Sequence, residues 1–355
     1  MMREDRKRAE QRQKKIARRK REVRRMKRKL YKAGILAAAG IIVLAVILML
    51  CGSGNAKKSA KKTSSAKTKT ETSEETETKT PEEIEAEKIQ EVLDSDQYKD
   101  QLGELYKKNP ETKEIILNRE KYSDDLLTWL FDHQEALQWV IDYPEQSARS
   151  EEELSAQGLQ AVDLKDYRIQ NHIPVYFQWS EVWGYASYGS ENIGMGGCGP
   201  TSLSMVATGL TGNTSFTPKY VADMSVNMGY YVDEVGTDWT LMTAGASELG
   251  INSAQLTNWS EDTLKSELSA GHPIICSMGP GDFTNQGHFI VLSGLTEEGK
   301  VLINDPNSKI NSRKKWDLNT IINQMNAAWS FWVSKFGKSA GELDKFPCAF
   351  LLFMI

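Results

Sequence analysis

The chain has 355 residues, with 44 Lys+Arg against 48 Asp+Glu and four cysteines, totals that describe a mildly acidic protein of one to three domains. The cysteines are dispersed and form no CxxC pair, which excludes a disulfide-stapled mini-domain and argues against a structural zinc site; ten prolines and 26 glycines exclude a collagen-like chain. The totals conceal an asymmetry, because residues 1–32 hold 17 Lys/Arg and 4 Asp/Glu, a local charge of +13, which leaves −17 for the remainder of a chain whose formal total is −4.

The basic segment, residues 1–32, runs directly into Ala33–Cys51, AGILAAAGIIVLAVILMLC, 19 residues without a charge. As a helix that run is about 28 Å long, close to the roughly 30 Å hydrocarbon core of a bilayer. Residues 33–51 are therefore expected to form a transmembrane helix in contact with membrane lipid. By the positive-inside rule the N-terminus stays cytoplasmic and the rest is exported. A charged n-region before an apolar stretch is also the signature of a cleaved signal peptide, but both parts are longer than that signal normally has, so an uncleaved signal-anchor is expected. Leu50 precedes Cys51 where a lipoprotein signal needs a small residue. An arginine-rich arm could also bind nucleic acid; attachment to a membrane span makes lipid or topology control the simpler reading, and no nucleic-acid partner is expected.

Residues 52–80 are nearly all Lys, Thr, Ser, Glu and Ala and read as a disordered tether. From Pro81 the pattern is helical, with Ile84, Ile89, Val92 and Leu93 near one face. The stretches 111–120 and 135–145 resemble one another at an offset of about 24 residues, as amphipathic patterning also would. Residues 81–165 are assigned to a helical neck whose last part, 146–165, reads as a polar linker, and Trp129, Phe131 and Trp139 read as packing residues.

The segment from residue 166 to 355 carries the chemistry. In IGMGGCGPTSLSMVATGL, Cys198 lies between glycines at the start of a helix-compatible run. A helix N-terminus presents unpaired N–H groups and positive dipole, which suits a thiolate and the oxyanion of an attacked carbonyl. Downstream, three strands are expected at 273–278, 288–293 and 300–304, separated by Gly-rich turns. His288 opens the second and Asp305 follows the third, so antiparallel pairing across a tight turn near Glu298 and Gly299 would bring the two ends together.

The strings GCGPTSLSMV, GHPIICSM, GHFIVLSG and INDPNS, in this order, resemble papain-like cysteine peptidase family thirty-nine, and more narrowly its stand-alone exported branch. The resemblance covers roughly residues 170–335. It implies an α+β fold in which a helix carrying Cys packs on an antiparallel sheet carrying His and Asp, with Cys198 as nucleophile, His288 as general base and Asp305 as its orienter. It assigns the oxyanion-hole glutamine to Gln178, although 20 residues separate Gln178 from Cys198, against a handful in exporter-linked members. Asn304 competes with Asp305 for the third role. The implied partner is a peptide or protein substrate, with no cofactor and no metal, at the surface of a Gram-positive bacterium; the oligomeric state is not specified.

Other residues read as structural. His133, His172 and His272 lie in the neck, at the domain start and in a GHP turn. Cys276 and Cys348 read as core thiols, a disulfide between them being open. Trp179, Trp183, Tyr185 and Tyr188 fit a substrate cleft and the core equally well. Two further functions stand beside the peptidase: an inactive papain-like module binding peptides or cell-wall material, and a cell-wall amidase.

Overall fold

The computed structural model describes residues 79–334 apart from Glu234. The basic segment, the apolar run 33–51 with Cys51, nearly all of the tether and the tail with Cys348 lie outside the described residues. Among the described residues no helix is long and apolar enough to cross a membrane.

The described residues divide into two units between Glu91 and Val92, inside the first described helix, α1 (Pro81–Ser95). Thr80 starts α1 by a reciprocal capping box: its Oγ1 accepts from Glu83 N at 3.3 Å and its own N–H donates to the Glu83 carboxylate at 2.8 Å. Ile89 and Leu93 of the expected apolar face are buried, whereas Ile84 is exposed.

Five helices follow: α2 (Lys99–Lys108), α3 (Lys113–Leu117), α4 (Asp124–Asp132), α5 (Leu137–Gln146) and α6 (Glu151–Gly158). Leu102, Leu105, Ile115, Ile116, Leu127 and Val140 are fully buried, as a 3.6-residue apolar stripe requires. The two similar stretches have the same local structure. Each is a three-residue 3₁₀ turn, Pro110–Thr112 or Gln134–Ala136, running straight into an α-helix, α3 or α5. Helix α6 falls where a polar linker was expected. Ser150 and Glu153 cap it reciprocally, three glutamates occupy its first turn, and Leu154 is its buried apolar anchor.

The mixed helix-and-sheet architecture beyond residue 166 is centred on a six-stranded antiparallel sheet. Its strands are β1 (Asn252–Gln255), β2 (Ile274–Met278), β3 (His288–Leu295), β4 (Val301–Asn304), β5 (Lys315–Trp316) and β6 (Met325–Trp332), in the spatial order β5-β4-β3-β2-β6-β1. Runs such as IICSM and HFIVLSG are apolar without alternation because both faces are covered. One face packs Ile274, Cys276, Met278, Ile290, Leu292 and Ile303 against Leu264 and Leu268 of α9 (Glu261–Ser269). Alternation turns Ile275, Phe289, Val291 and Trp329 to the other face.

Helix α7 (Cys198–Thr211) is buried almost all round, from Gly199 to Thr208, and lies against β3, where Ser202 Oγ donates to the Phe289 carbonyl at 3.4 Å. It ends at Gly212, whose φ of 73° is the left-handed conformation a C-terminal glycine supplies without strain. Helix α8 (Pro218–Asn227), capped by Thr217, packs alongside α7.

Candidate active site

Cys198 sits at the first position of α7 because the preceding turn leaves little choice. The short helix Ile193–Gly196, capped by the Asn192 side chain, ends at Gly197, and α7 begins on the next residue. A methyl group on Gly199 would approach the Thr237 hydroxyl to 2.4 Å, so only glycine fits beside the cysteine. Cys198 itself is half-buried.

His288 opens β3 opposite Met278, and the β3/β4 pairing sets Asn304 opposite Val291. That register carries the next residue, Asp305, alongside His288. Asp305 Oδ1 and His288 Nε2 are 2.7 Å apart, with 1% and 6% of their side chains exposed. A buried carboxylate accepts, so Nε2 carries the proton and Nδ1 is left for the thiol. Burial alone would push the imidazole down. The charge and hydrogen bond of Asp305, followed by the hydrogen bond and charge of Cys198, outweigh burial and raise it to about 10.

Asp305 is held on every side. Oδ1 also accepts from Asn307 N at 2.9 Å, and Oδ2 from Asn311 Nδ2 at 2.9 Å. Its backbone N–H donates to Ser312 Oγ at 2.8 Å, and that hydroxyl lies 3.2 Å from its carbonyl. Asn311 and Ser312 belong to α10 (Lys309–Arg313), so this short helix is the mount of the carboxylate. Asn304 does not share the site. Its Oδ1 accepts from Gln170 Nε2 at 3.0 Å and its Nδ2 donates to the carbonyls of Ile173 and Pro174.

Gln178 is 1% exposed, its backbone N–H donating to the Pro306 carbonyl and its Nε2 to the Gly194 carbonyl at 2.8 Å. The opposite amide orientation would set two acceptors face to face, which fixes the assignment. Nε2 keeps a second hydrogen, and the buried Oε1 has no partner. The glutamine thus joins the segment after Asp305 to the turn before Cys198.

Of the neighbouring aromatics, Trp183 and Tyr188 are core: Trp183 Nε1 donates to the Phe177 carbonyl, and the Tyr188 hydroxyl bonds Ser225 and Thr237. Tyr185 is buried and stacks on Trp139 at 5.1 Å. Trp179 stacks on Phe177 at 5.1 Å, with Lys309 Nζ 4.8 Å from its ring centre. This tray flanks Gln178. His172 lies with Asn171 in the left-handed two-residue turn of the hairpin Ile169–Pro174, and His272 pairs with Glu267 at 2.9 Å. Cys276 is fully buried, which raises its thiol pKa. Among the described residues no group of three or more His, Cys, Asp or Glu could hold a metal ion.

Composition and motif did not locate the side chains that residues 92–165 bring to the site. His133 stacks on Trp129 at 4.5 Å, with its Nδ1 2.7 Å from the Trp129 carbonyl. It lies within electrostatic reach of both His288 and Asp305, and its pKa is lowered, chiefly by burial. Trp139 packs directly on Gly194, where an added methyl would come 2.4 Å from its ring. Glu135 reaches α10. None of these follows a local rule, because each joins segments more than 50 residues apart.

Residues 170–334 match the family described as Peptidase_C39 like family. A crystal structure described as that of a C39-like peptidase from Bacillus anthracis is similar at 18% identity, covering 47% of this chain and 98% of its own, with a TM-score of 0.30. No curated protein matches the chain.

Proposed function

Residues 170–334 belong to the C39-like peptidase family, and on that premise we propose that the protein is a papain-like cysteine peptidase using Cys198, His288 and Asp305 on peptide or protein substrates. The observation that carries this reading is the buried 2.7 Å hydrogen bond from His288 Nε2 to Asp305 Oδ1, made beside a cysteine that starts a helix.

In the proposed reaction the Cys198 thiol gives its proton to His288 Nδ1 and Sγ attacks the amide carbonyl carbon. The resulting oxyanion is received by the backbone N–H of Cys198, at a helix N-terminus, and by the second hydrogen of Gln178 Nε2. As the C–N bond breaks, the imidazolium protonates the departing amine and leaves a thioester on Cys198. Water then attacks the thioester, its proton passing to His288, and Sγ departs from a free carboxylic acid. Asp305 keeps the ring oriented throughout and stabilises its positive form.

The sequence also supports an uncleaved anchor at residues 33–51, with the basic segment in the cytoplasm and the peptidase outside the cell. Protease shaving of intact cells tests that topology: loss of the C-terminal domain is expected, and its survival would contradict export. For the chemistry, a peptide-library digest compares the full chain with its Cys198→Ser and His288→Ala forms. Cleavage by the parent that both substitutions abolish is expected. Cleavage that survives either one would remove that residue from the mechanism.

A further inference from the structure

Glu135 lies outside the family-matched residues, in the 3₁₀ turn between α4 and α5. Its half-buried carboxylate reaches the start of α10. Oε1 accepts from Ser308 Oγ at 2.5 Å, and Oε2 from the backbone N–H groups of Lys309 at 2.8 Å and Ile310 at 3.1 Å. These N–H groups open a helix and have no partner within it, and a carboxylate facing them makes charge-assisted bonds of favourable dipole sign. The same Ser308 hydroxyl accepts from Asn311 N at 3.0 Å, and the Ser308 N–H donates to the Asp305 carbonyl at 3.3 Å. One turn further along, Asn311 and Ser312 grip Asp305.

The surrounding turn touches the flanks of the other two site residues as well. Asp132 Oδ1 accepts from Asn285 Nδ2 at 3.4 Å, three residues before His288, and Trp139 covers Gly194, four residues before Cys198. Residues 132–139 thus contact a segment next to each member of the triad.

We infer that Glu135 is a positioning residue for the reaction: it pins the first turn of α10, and through Asn311 and Ser312 it holds Asp305 against His288. This rests on the roles proposed above for Cys198, His288 and Asp305. The carboxylate touches no reacting atom and acts only through the helix it caps.

The test uses the full chain labelled in its histidine rings, of which there are four. The His288 signal is identified by its loss in His288→Gln, and its titration, which Asp305, Cys198 and His133 all influence, is followed in the parent and in Glu135 variants. Glu135→Ala is expected to move the His288 midpoint toward the ordinary histidine value by about one pH unit. It should also lower kcat roughly tenfold with KM unchanged. Glu135→Gln keeps an acceptor for the two N–H groups and an amide that can donate to Ser308 Oγ, so it should restore both. A Glu135→Ala chain that melts earlier yet keeps the parent's His288 titration and kcat would overturn the inference. Should that variant fail to fold, Glu135→Asp, which withdraws the carboxylate by one methylene, must shift the His288 midpoint in the same direction, and an unmoved midpoint overturns the inference equally. A parent chain that cleaves no peptide would defeat the peptidase reading alone, because the His288 titration still reports whether Glu135 holds Asp305.

Discussion

Asn304 and Asp305 are neighbours in sequence whose side chains turn to opposite tasks. Asn304 fastens the Ile169–Pro174 hairpin through Gln170 and the carbonyls of Ile173 and Pro174, while Asp305 takes the His288 imidazole at 2.7 Å. Their substitutions should therefore fail differently. Asp305→Asn should fold and lose kcat by roughly 10²- to 10⁴-fold, through loss of ring orientation and charge. Asn304→Ala should keep its per-molecule kcat and lose about 1–3 kcal/mol of stability, the cost of leaving buried partners unpaired. Denaturant melts and active-site-normalised rates separate the two; a large fall in kcat for Asn304→Ala would move the third role to that residue.

The raised His288 pKa has a consequence for stability with a definite sign. Folding lifts the group from about 6.5 to about 10, so the folded state binds the extra proton between those values. The stabilisation is complete below about pH 6.5 and disappears as pH rises through about 10. In Asp305→Asn the largest favourable contribution to that shift is gone. The stability difference between the parent and Asp305→Asn should then shrink from pH 6.5 to pH 10. Thermal melts across that range test it, and a difference that grows with pH would contradict the pair.

Gln178 offers a way to separate nucleophile activation from oxyanion stabilisation. Alkylation of Cys198 by iodoacetamide needs the thiolate and forms no oxyanion. Gln178→Ala should therefore leave the Cys198 alkylation rate near that of the parent and lower kcat for amide cleavage by roughly 10²- to 10³-fold. Equal losses in both measurements would place Gln178 among the residues that shape the cysteine turn through Gly194, and remove it from the oxyanion site.

The contact between Trp139 and Gly194 tests how far residues 92–165 are part of the same folding unit as the candidate site. A methyl at position 194 would stand 2.4 Å from the indole, so Gly194→Ala should cost about 1–3 kcal/mol. Trp139→Phe opens space at the same point, and the double variant should recover part of the loss, a coupling of about 0.5–3 kcal/mol. Additive losses would mean that the two residues do not sense each other in solution.

Much of the fold beyond residue 166 could be read directly. The strands of 274–278, 288–295 and 301–304 are apolar runs bounded by turn glycines, and Cys198 stands out between glycines before a helix. Strand ends alone could not decide between Asn304 and Asp305, because that choice depends on a register shift between Leu302 and Ile303 and on partners more than 100 residues away. Helix α6 has too few apolar residues to show a helical stripe, although the Ser150-Glu153 capping box announces its start. Glu135 resembled any solvent-facing glutamate of an amphipathic segment; only the fold brings it to residues 308–310.

The order of strands in the sheet bears on how the protein comes into being at the ribosome. Strand β6, residues 325–332, is inserted between β1 and β2. A nascent chain that has just emitted residue 324 already contains Gln178, Cys198, His288 and Asp305, yet nothing links β1 to the other strands. Synthesis thus delivers every reactive group before it delivers the strand that closes the sheet around them.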